Sequence, residues 1–510
     1  MAPAEGNDDA TVVDLSNPMP TCLKEVITTH QFIFMALGSS IGAGLLLPTG
    51  QALAAGGPAP LLIAFGVVGF AVWITMCNLG ELSTNFPVKG FAMGWNYVMN
   101  FVFVVPFEII VMVMCARFWG PSISAFYLVP VFIFGLVVIY SFGARWFAEA
   151  ENIFGILKII VVGAFVGTAI CVLTRSVPTD TRPAGQLAYN SWHTEAFKNG
   201  APGFLFVFMS SGMAYGGTEM LGLAAAECRS PRYVMKLASR LVAGRIALLY
   251  VLPVLMLGLV LKIDLSPGTA SNDDATVIQD SSREVLISPF VLAISQAKIP
   301  VLPGLMNAVI VVAIFSMANA SIFAASRALQ AISARGMGPR FCAVVRWDRP
   351  IGALATVFLF SFLSFAGAAQ HGDEVFVWLL SLASCSNYLT WFSICVAQIR
   401  CRLALKRQGE TLDYPKTHRS PFGIPGSILA VVIFAFGLAA QITAAAKSPL
   451  PSPPPVAASF IGLLVAVFWV GHMIYKQGYT LLVPLDRVKL GLKQEMYATM
   501  NPAGIGHVAF

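Results

Sequence analysis

The sequence is poor in charge: Asp, Glu, Lys and Arg make up 11% of its 510 residues, where a soluble domain carries about 25%. That shortage excludes an ordinary soluble enzyme or binding module. None of the nine cysteines (Cys22, Cys77, Cys115, Cys171, Cys228, Cys342, Cys385, Cys395, Cys401) belongs to a CxxC pair, so the common zinc and redox arrangements are missing and these residues read as small apolar packing groups. The six histidines are scattered and HExxH does not occur, so the usual metallohydrolase signature is absent. No metal, cofactor or enzymatic activity is expected. A soluble domain of useful size is lacking too. The longest polar loop, "SPGTASNDDATVIQDSSREV", reads as lightly structured, and "SPLPSPPPV" as a stiff connection.

What the chain does have is apolar length: 57% of it is hydrophobic. A helix needs about 20 mainly apolar residues to cross a bilayer, and twelve stretches qualify. They are 31–54, 59–81, 97–116, 122–142, 153–174, 203–226, 244–262, 302–325, 352–369, 375–398, 424–446 and 456–475. The first follows Asp8, Asp9, Asp14 and Glu25, lacks the basic flank of a cleavable signal, and is expected to stay as a span. With the N-terminus inside, 22 of the 32 Lys and Arg residues fall on the cytoplasmic side and 8 outside, leaving Lys158 and Arg245 within or at the edge of spans. This asymmetry predicts an all-α integral membrane protein with twelve transmembrane helices and both termini cytoplasmic. It also accounts for the net charge of +7 with no nucleic acid partner.

The first stretch carries a helix-weakening cluster, "MALGSSIGAGLLLPTG", Met35 to Gly50. Gly38 and Gly42 form a GxxxG, which alone reads as close helix packing. A second cluster, "SSGMAYGGTEMLG", Ser210 to Gly222, lies in stretch six, the same rank in a second set of five helices, and repeats the spacing at Gly212 and Gly216. Paired glycine interruptions in two halves point to a transporter built from inverted repeats, with a polar site where the breaks meet. The pattern predicts a carboxylate held by amides around Gly42, Ala43 and Gly44, and an ammonium held by carbonyls around Tyr215 and Gly216. One anionic and one cationic pole fit a zwitterion. Paired breaks also argue against a channel.

"ALGSSIGAGLLLPTGQALAAGGPAP", "GELSTNFPVKG", "YGGTEMLGLAAAECRSPR", and "ANASIFAASRAL" with "ARGMGPRF" resemble the signature blocks of the fungal amino acid permeases of the amino acid-polyamine-organocation superfamily. The resemblance runs from about Met35 to Lys406. It implies a LeuT-like 5+5 inverted repeat plus two helices and proton-coupled uptake of L-amino acids across the plasma membrane, with protons and the lipid bilayer as further partners. It carries Ser39, Ser40, Ile41, Gly42, Ala43 and Gly44 to the carboxylate site, and Tyr215, Gly216, Gly217 and Thr218 to the ammonium and gating region. The domain plan is a tail over 1–30, a permease domain over 31–475 (repeats 31–174 and 203–398, then 424–475) and a tail over 476–510. A non-transporting amino acid sensor on the same fold is the alternative.

A charge inside a span needs a reason. Glu108, in "VVPFEIIVM", is either a carboxyl bonded between helices or a proton carrier. Glu219, eight residues from Glu227, is either a helix-helix bond or a coupling group. Lys158, in "GILKIIVVG", either snorkels to the cytoplasmic surface or, by resemblance, stands where sodium-coupled relatives hold a cation and helps couple proton movement to closure. Ser316, Asn319 and Ser321 of stretch eight, and Ser381, Ser384, Ser386, Asn387 and Thr390 of stretch ten, either line a side-chain pocket or bond between helices; Ser316 and Asn319 are carried as substrate-site candidates. Stretches eight and ten contain no acid, which favours neutral or mixed substrates. Two departures stand out against similar permeases. Gly90 runs straight into "FAMGWNY" without an expected aromatic-rich segment, and Gly216 replaces a longer polar side chain, which predicts a wider pocket.

Overall fold

The computed structural model describes residues 27–38, 40–85, 91–120, 123–174, 192, 196–226, 228, 231–261, 288–295, 301–347, 349–368, 372–409 and 419–447. Helix coincides with all but the last of the twelve apolar stretches; stretch twelve, Ser39, Glu227, the polar loop and the junction before Gly90 lie outside the described residues. Among the described residues, seven helices are long and apolar enough to cross a membrane, or eight if one bent pair counts as a single span.

Stretch one is three pieces: α1 (Thr29–Gly38), α2 (Ala43–Leu46) and α3 (Pro48–Gly56). Besides the interruption after Gly38, the chain bends by 55° where α3 begins at Pro48, since proline cannot continue the preceding hydrogen-bond ladder. Gly57, at φ +88°, ends α3 and turns into α4 (Pro58–Asn85). Then follow α5 (Phe91–Ala116), α6 (Ala125–Ser141) and α7 (Ala144–Leu173). Stretch six is also broken, into α8 (Gly200–Ala214), a tight turn over Thr218–Met220 and α9 (Leu221–Ala226).

Stretch seven belongs to a longer helix, α10 (Pro231–Arg245), continuing through a π-turn over Ile246–Val251 into α11 (Leu252–Val260). The sequence reading starts it at Gly244 because Arg232, Lys236 and Arg240 make the first turns polar. Hydropathy marks the lipid slab, while helix propensity carries the ladder beyond it. For the same reason α13 (Leu302–Ala334) and α16 (Gly372–Gln408) outrun their apolar stretches, and α7 begins at Ala144 rather than at 153. One helix was unforeseen: α12 (Pro289–Ser295) packs Pro289 onto Gly50 and Phe290 against Phe165, while Ser288 Oγ donates to Leu46 O at 2.7 Å. The short α14 (Arg340–Ala343), then α15 (Ile351–Ser361) with a 3-10 segment over Phe362–Ala368, and α17 (Gly423–Lys447), complete the described elements.

The core is one continuous apolar cluster in which α5 packs along α13 and α16, and α1 along α7. Outward faces remain apolar: Phe126, Val131 and Phe134 on α6, Ile153 and Ile160 on α7, and Leu429 and Val432 on α17 are exposed. Such stripes suit a lipid surround. At one end of the bundle Arg402 grips Glu81 with two bonds, Nε to Oε1 at 2.9 Å and Nη2 to Oε2 at 2.6 Å, and Gln398 Nε2 and the Ser420 backbone N–H donate to the same carboxylate. Helices α4 and α16 and the entry to α17 are thereby joined.

Candidate substrate site between two broken helices

The two broken helices lie side by side and run antiparallel. Gly56 meets Gly203 at one end, Gly44 meets the Met213 carbonyl near the middle, and Ile27 bridges Cys228 at the other end. A Cβ on Gly44 would come within 2.7 Å of Met213 O, so only glycine allows this approach. The interruption after Gly38 therefore faces the turn at Tyr215, Gly216 and Gly217. Gly38 itself packs on Gly155 of α7, where a Cβ would sit 2.7 Å from the Gly155 Cα, so the packing reading also holds for this residue.

Charged side chains converge on the first break. Lys158 Nζ donates to Gly38 O at 2.9 Å, and the residue is 1% exposed. Because α7 begins at Ala144, Lys158 sits near the helix midpoint, and its amine does not snorkel to the surface. On the far side of the break the Ala43 N–H donates to Glu108 Oε2 at 3.0 Å, while Glu108 Oε1 is buried with no hydrogen-bond partner among the described residues. An amide expected to receive a substrate carboxylate is thus held by the protein's own carboxylate. Ser40 Oγ shares a 2.8 Å hydrogen bond with Tyr250 OH, and Ile41 N–H donates to Gly38 O.

The second break is built from its own backbone. Gly217 has φ +85°, a left-handed conformation that favours glycine, and Thr218 Oγ1 donates to Tyr215 O at 2.7 Å. That carbonyl, expected to face an ammonium, thus has an internal donor. Glu219 Oε2 accepts from Trp391 Nε1 of α16 at 2.9 Å, which is the helix-helix bond of its two readings. The Tyr215 ring stacks on Tyr250 at 4.7 Å between centroids, and its hydroxyl donates to Phe65 O.

Gly216 does not widen a pocket. Asn387 Nδ2 lies 2.3 Å from where a Gly216 Cβ would be, donates to Gly212 O at 3.1 Å, and so occupies the space. Asn387 Oδ1 accepts from Asn100 Nδ2 at 2.7 Å. Ser384 Oγ donates to Met209 O, Ser381 Oγ to Gln441 Oε1 and Ser386 Oγ to Asn96, and Thr390 Oγ1 accepts from Asn96 Nδ2. These polar groups of α16 therefore bond between helices.

Ser316 and Asn319 are drawn away from the breaks as well. Both donate to Glu151 of α7, Ser316 Oγ at 3.1 and 3.0 Å and Asn319 Nδ2 at 2.8 Å. Met317, between them, is the residue that meets Gly42 and Gly217. Glu151 escaped the sequence reading because it lies just before the apolar stretch at 153; its spacing of seven from Lys158, two turns along one helix face, was the available signal. Arg245 was noted only as a charge at a span edge, yet it is buried and bonded to both broken helices.

A family model described as "Amino acid permease" matches residues 31–483. The chain belongs to the amino acid permease family. It is accordingly a membrane transporter rather than an enzyme. Among relatives, General amino-acid permease GAP1 of Saccharomyces cerevisiae is 33% identical over 497 residues, spanning 92% of this chain and 80% of that protein. General amino-acid permease GAP2 of Candida albicans is 33% identical over 494 residues, spanning 92% and 81%. A solved structure, MhsT in complex with L-phenylalanine, matches in fold at a TM-score of 0.52 and 14% identity, covering 85% of this permease and all but 2% of its own chain. That likeness supports an all-α transporter fold of LeuT type.

Proposed function

We infer that this permease takes up L-amino acids across the plasma membrane, coupled to protons, by alternating access about the two breaks. The architecture of this reading is twelve spans, a 5+5 inverted repeat over 31–174 and 203–398 followed by two helices over 424–475, with the tails 1–30 and 476–510 both cytoplasmic. The observation that carries it is the meeting of the break after Gly38 with the turn at Tyr215–Gly217, because irregular backbone at membrane depth persists where it lines a cavity.

The substrate carboxylate binds the segment Ser39, Ser40, Ile41, Gly42, Ala43 and Gly44, and the ammonium binds near Tyr215, Gly216, Gly217 and Thr218. Ser316 and Asn319 support this site through Glu151 rather than by lining it. Glu108 satisfies the Ala43 amide. An arriving carboxylate competes for that donor, two negative charges at such distance repel, and a proton on Glu108 removes the repulsion. Substrate and proton thus enter together. Lys158 holds the carbonyl end of the first break as a fixed cation, and Glu219 ties the second break to α16. Neutral or mixed amino acids are the preferred substrates, since α13 contains no acid that would pair with a cationic side chain.

The deciding experiment is uptake of labelled acidic, neutral and basic amino acids into proteoliposomes, with and without an inward proton gradient. Gradient-driven accumulation of neutral substrates is the expected result. Binding without accumulation would transfer the reading to a sensor, and sodium-dependent uptake would remove Lys158 from its role.

A further inference from the structure

Arg245 is among the largest fully buried side chains of the molecule. A guanidinium does not shed its charge in proteins, so one buried in a span must be matched by acceptors. Its acceptors come from the two broken helices. Nη1 donates to Ala36 O at 2.8 Å, in the last turn of α1, and Nη2 donates to Thr218 Oγ1 at 2.6 Å, in the turn that restarts stretch six. Ala36 O lies at the carbonyl end of α1, where the helix dipole favours a cation. The guanidinium carbon also lies 5.8 Å from the Tyr250 ring centre, and Tyr250 OH bonds Ser40 beyond the break. Its own helix turns into a π-segment at the next residue, Ile246, an irregularity often found at functional positions.

The Arg245 guanidinium thus touches both broken helices. Lys158 holds α1 to α7 alone. We propose that Arg245 is a positioning residue that clasps α1 to the Thr218 turn, and that α1 swings away from α9 only when both guanidinium bonds are released. This deepens the transport reading by naming the contact that keeps one side of the site shut.

The chain carries its own reporter. Ile27, just before α1, bridges Cys228, just after α9, and Cys228 is 1% exposed. Swinging α1 outward uncovers that thiol. Full-length protein in nanodiscs would be treated with N-ethylmaleimide, and alkylation of Cys228 followed by peptide mass spectrometry, with buried Cys115 as the internal control for general loosening. Losing a hydrogen bond to a charged group shifts an opening equilibrium by about tenfold or more, so Arg245→Gln is expected to raise the Cys228 rate by that factor while leaving Cys115 unchanged. Arg245→Lys keeps the charge but reaches one acceptor, and its rate is expected to lie between.

An unchanged Cys228 rate in Arg245→Gln overturns the proposal. So does an equal rise at Cys228 and Cys115, which would assign Arg245 to global folding. If Arg245→Gln yields no folded protein, Arg245→Lys decides: a rate equal to the parent's also overturns the clasp. The assay needs neither substrate nor gradient, so its outcome stands apart from whether uptake is observed.

Discussion

The two broken helices solve the same problem by different means. In stretch one the break is held from outside: Lys158, Arg245 and Glu108, from three other helices, bond Gly38 O, Ala36 O and the Ala43 N–H. In stretch six the break is mostly held from within, by the left-handed Gly217 and by Thr218 bonding back to Tyr215 O, with Trp391 and Asn387 as neutral outside supports and the shared Arg245, on Thr218 Oγ1, as a charged one. Bonds to charged groups are stronger than neutral ones and depend on where protons and helices stand. A left-handed glycine does not. The difference makes stretch one the element that ligands and protons can move, and stretch six the frame it moves against.

Lys158→Met should break the comparison most severely. It strips Gly38 O of a charged donor worth about 1.5–3 kcal/mol, so gradient-driven accumulation is expected to fall by about 10–100-fold in proteoliposomes. Full accumulation by this variant would mean that stretch one does not depend on outside charge. Glu108→Gln comes next. Its side-chain carbonyl still accepts from Ala43 N–H, but it carries no exchangeable acid proton, so substrate counterflow should persist while the response to a pH step is lost.

A third pair of variants sharpens the distinction between outside and inside. Gly217→Ala places a side chain in left-handed backbone at a cost of about 1–2 kcal/mol, visible as a lower melting temperature in detergent. Gly42→Ala meets the Met317 side chain at 2.5 Å. Adding Met317→Gly, which removes both the Cβ and the Cγ that a Gly42 side chain would strike, should relieve Gly42→Ala but leave Gly217→Ala with its left-handed strain; equal rescue of both would erase the difference between the breaks. The smallest effect belongs to Gly216→Ala, which strikes the movable amide of Asn387. It should cost about 1 kcal/mol, the low end for overpacking, and Asn387→Ser in the same chain should recover most of it.

The breaks and the apolar stretches were legible because glycine clusters and hydropathy are local properties of the chain. Glu108 and Lys158 were legible as well, since a charge in an apolar run stands out. What could not be read was the pairing. Nothing near Ser316 announces Glu151, 165 residues away, and the absence of a side chain at Gly216 says nothing about Asn387 filling the gap. Helix ends were misplaced for a related reason: the polar first turns of α7 and α10 leave the apolar pattern while the backbone ladder continues. Glu151 and the full extent of stretch seven were hidden in those turns. The short α12 was hidden by its polar neighbours, because its apolar run is too brief to span a bilayer.

The carboxylate of Glu81 has a consequence for how the protein is made. Arg402 follows it by 321 residues and the Ser420 amide by 339. At about 5–20 residues per second of synthesis, Glu81 waits roughly 15–60 seconds for its guanidinium. During that time α4 is in the membrane without the guanidinium and the amide that grip its acid in the finished fold. The join is therefore among the late contacts of biogenesis, and a chain cut short before Arg402 would lack it, whatever the condition of its substrate site.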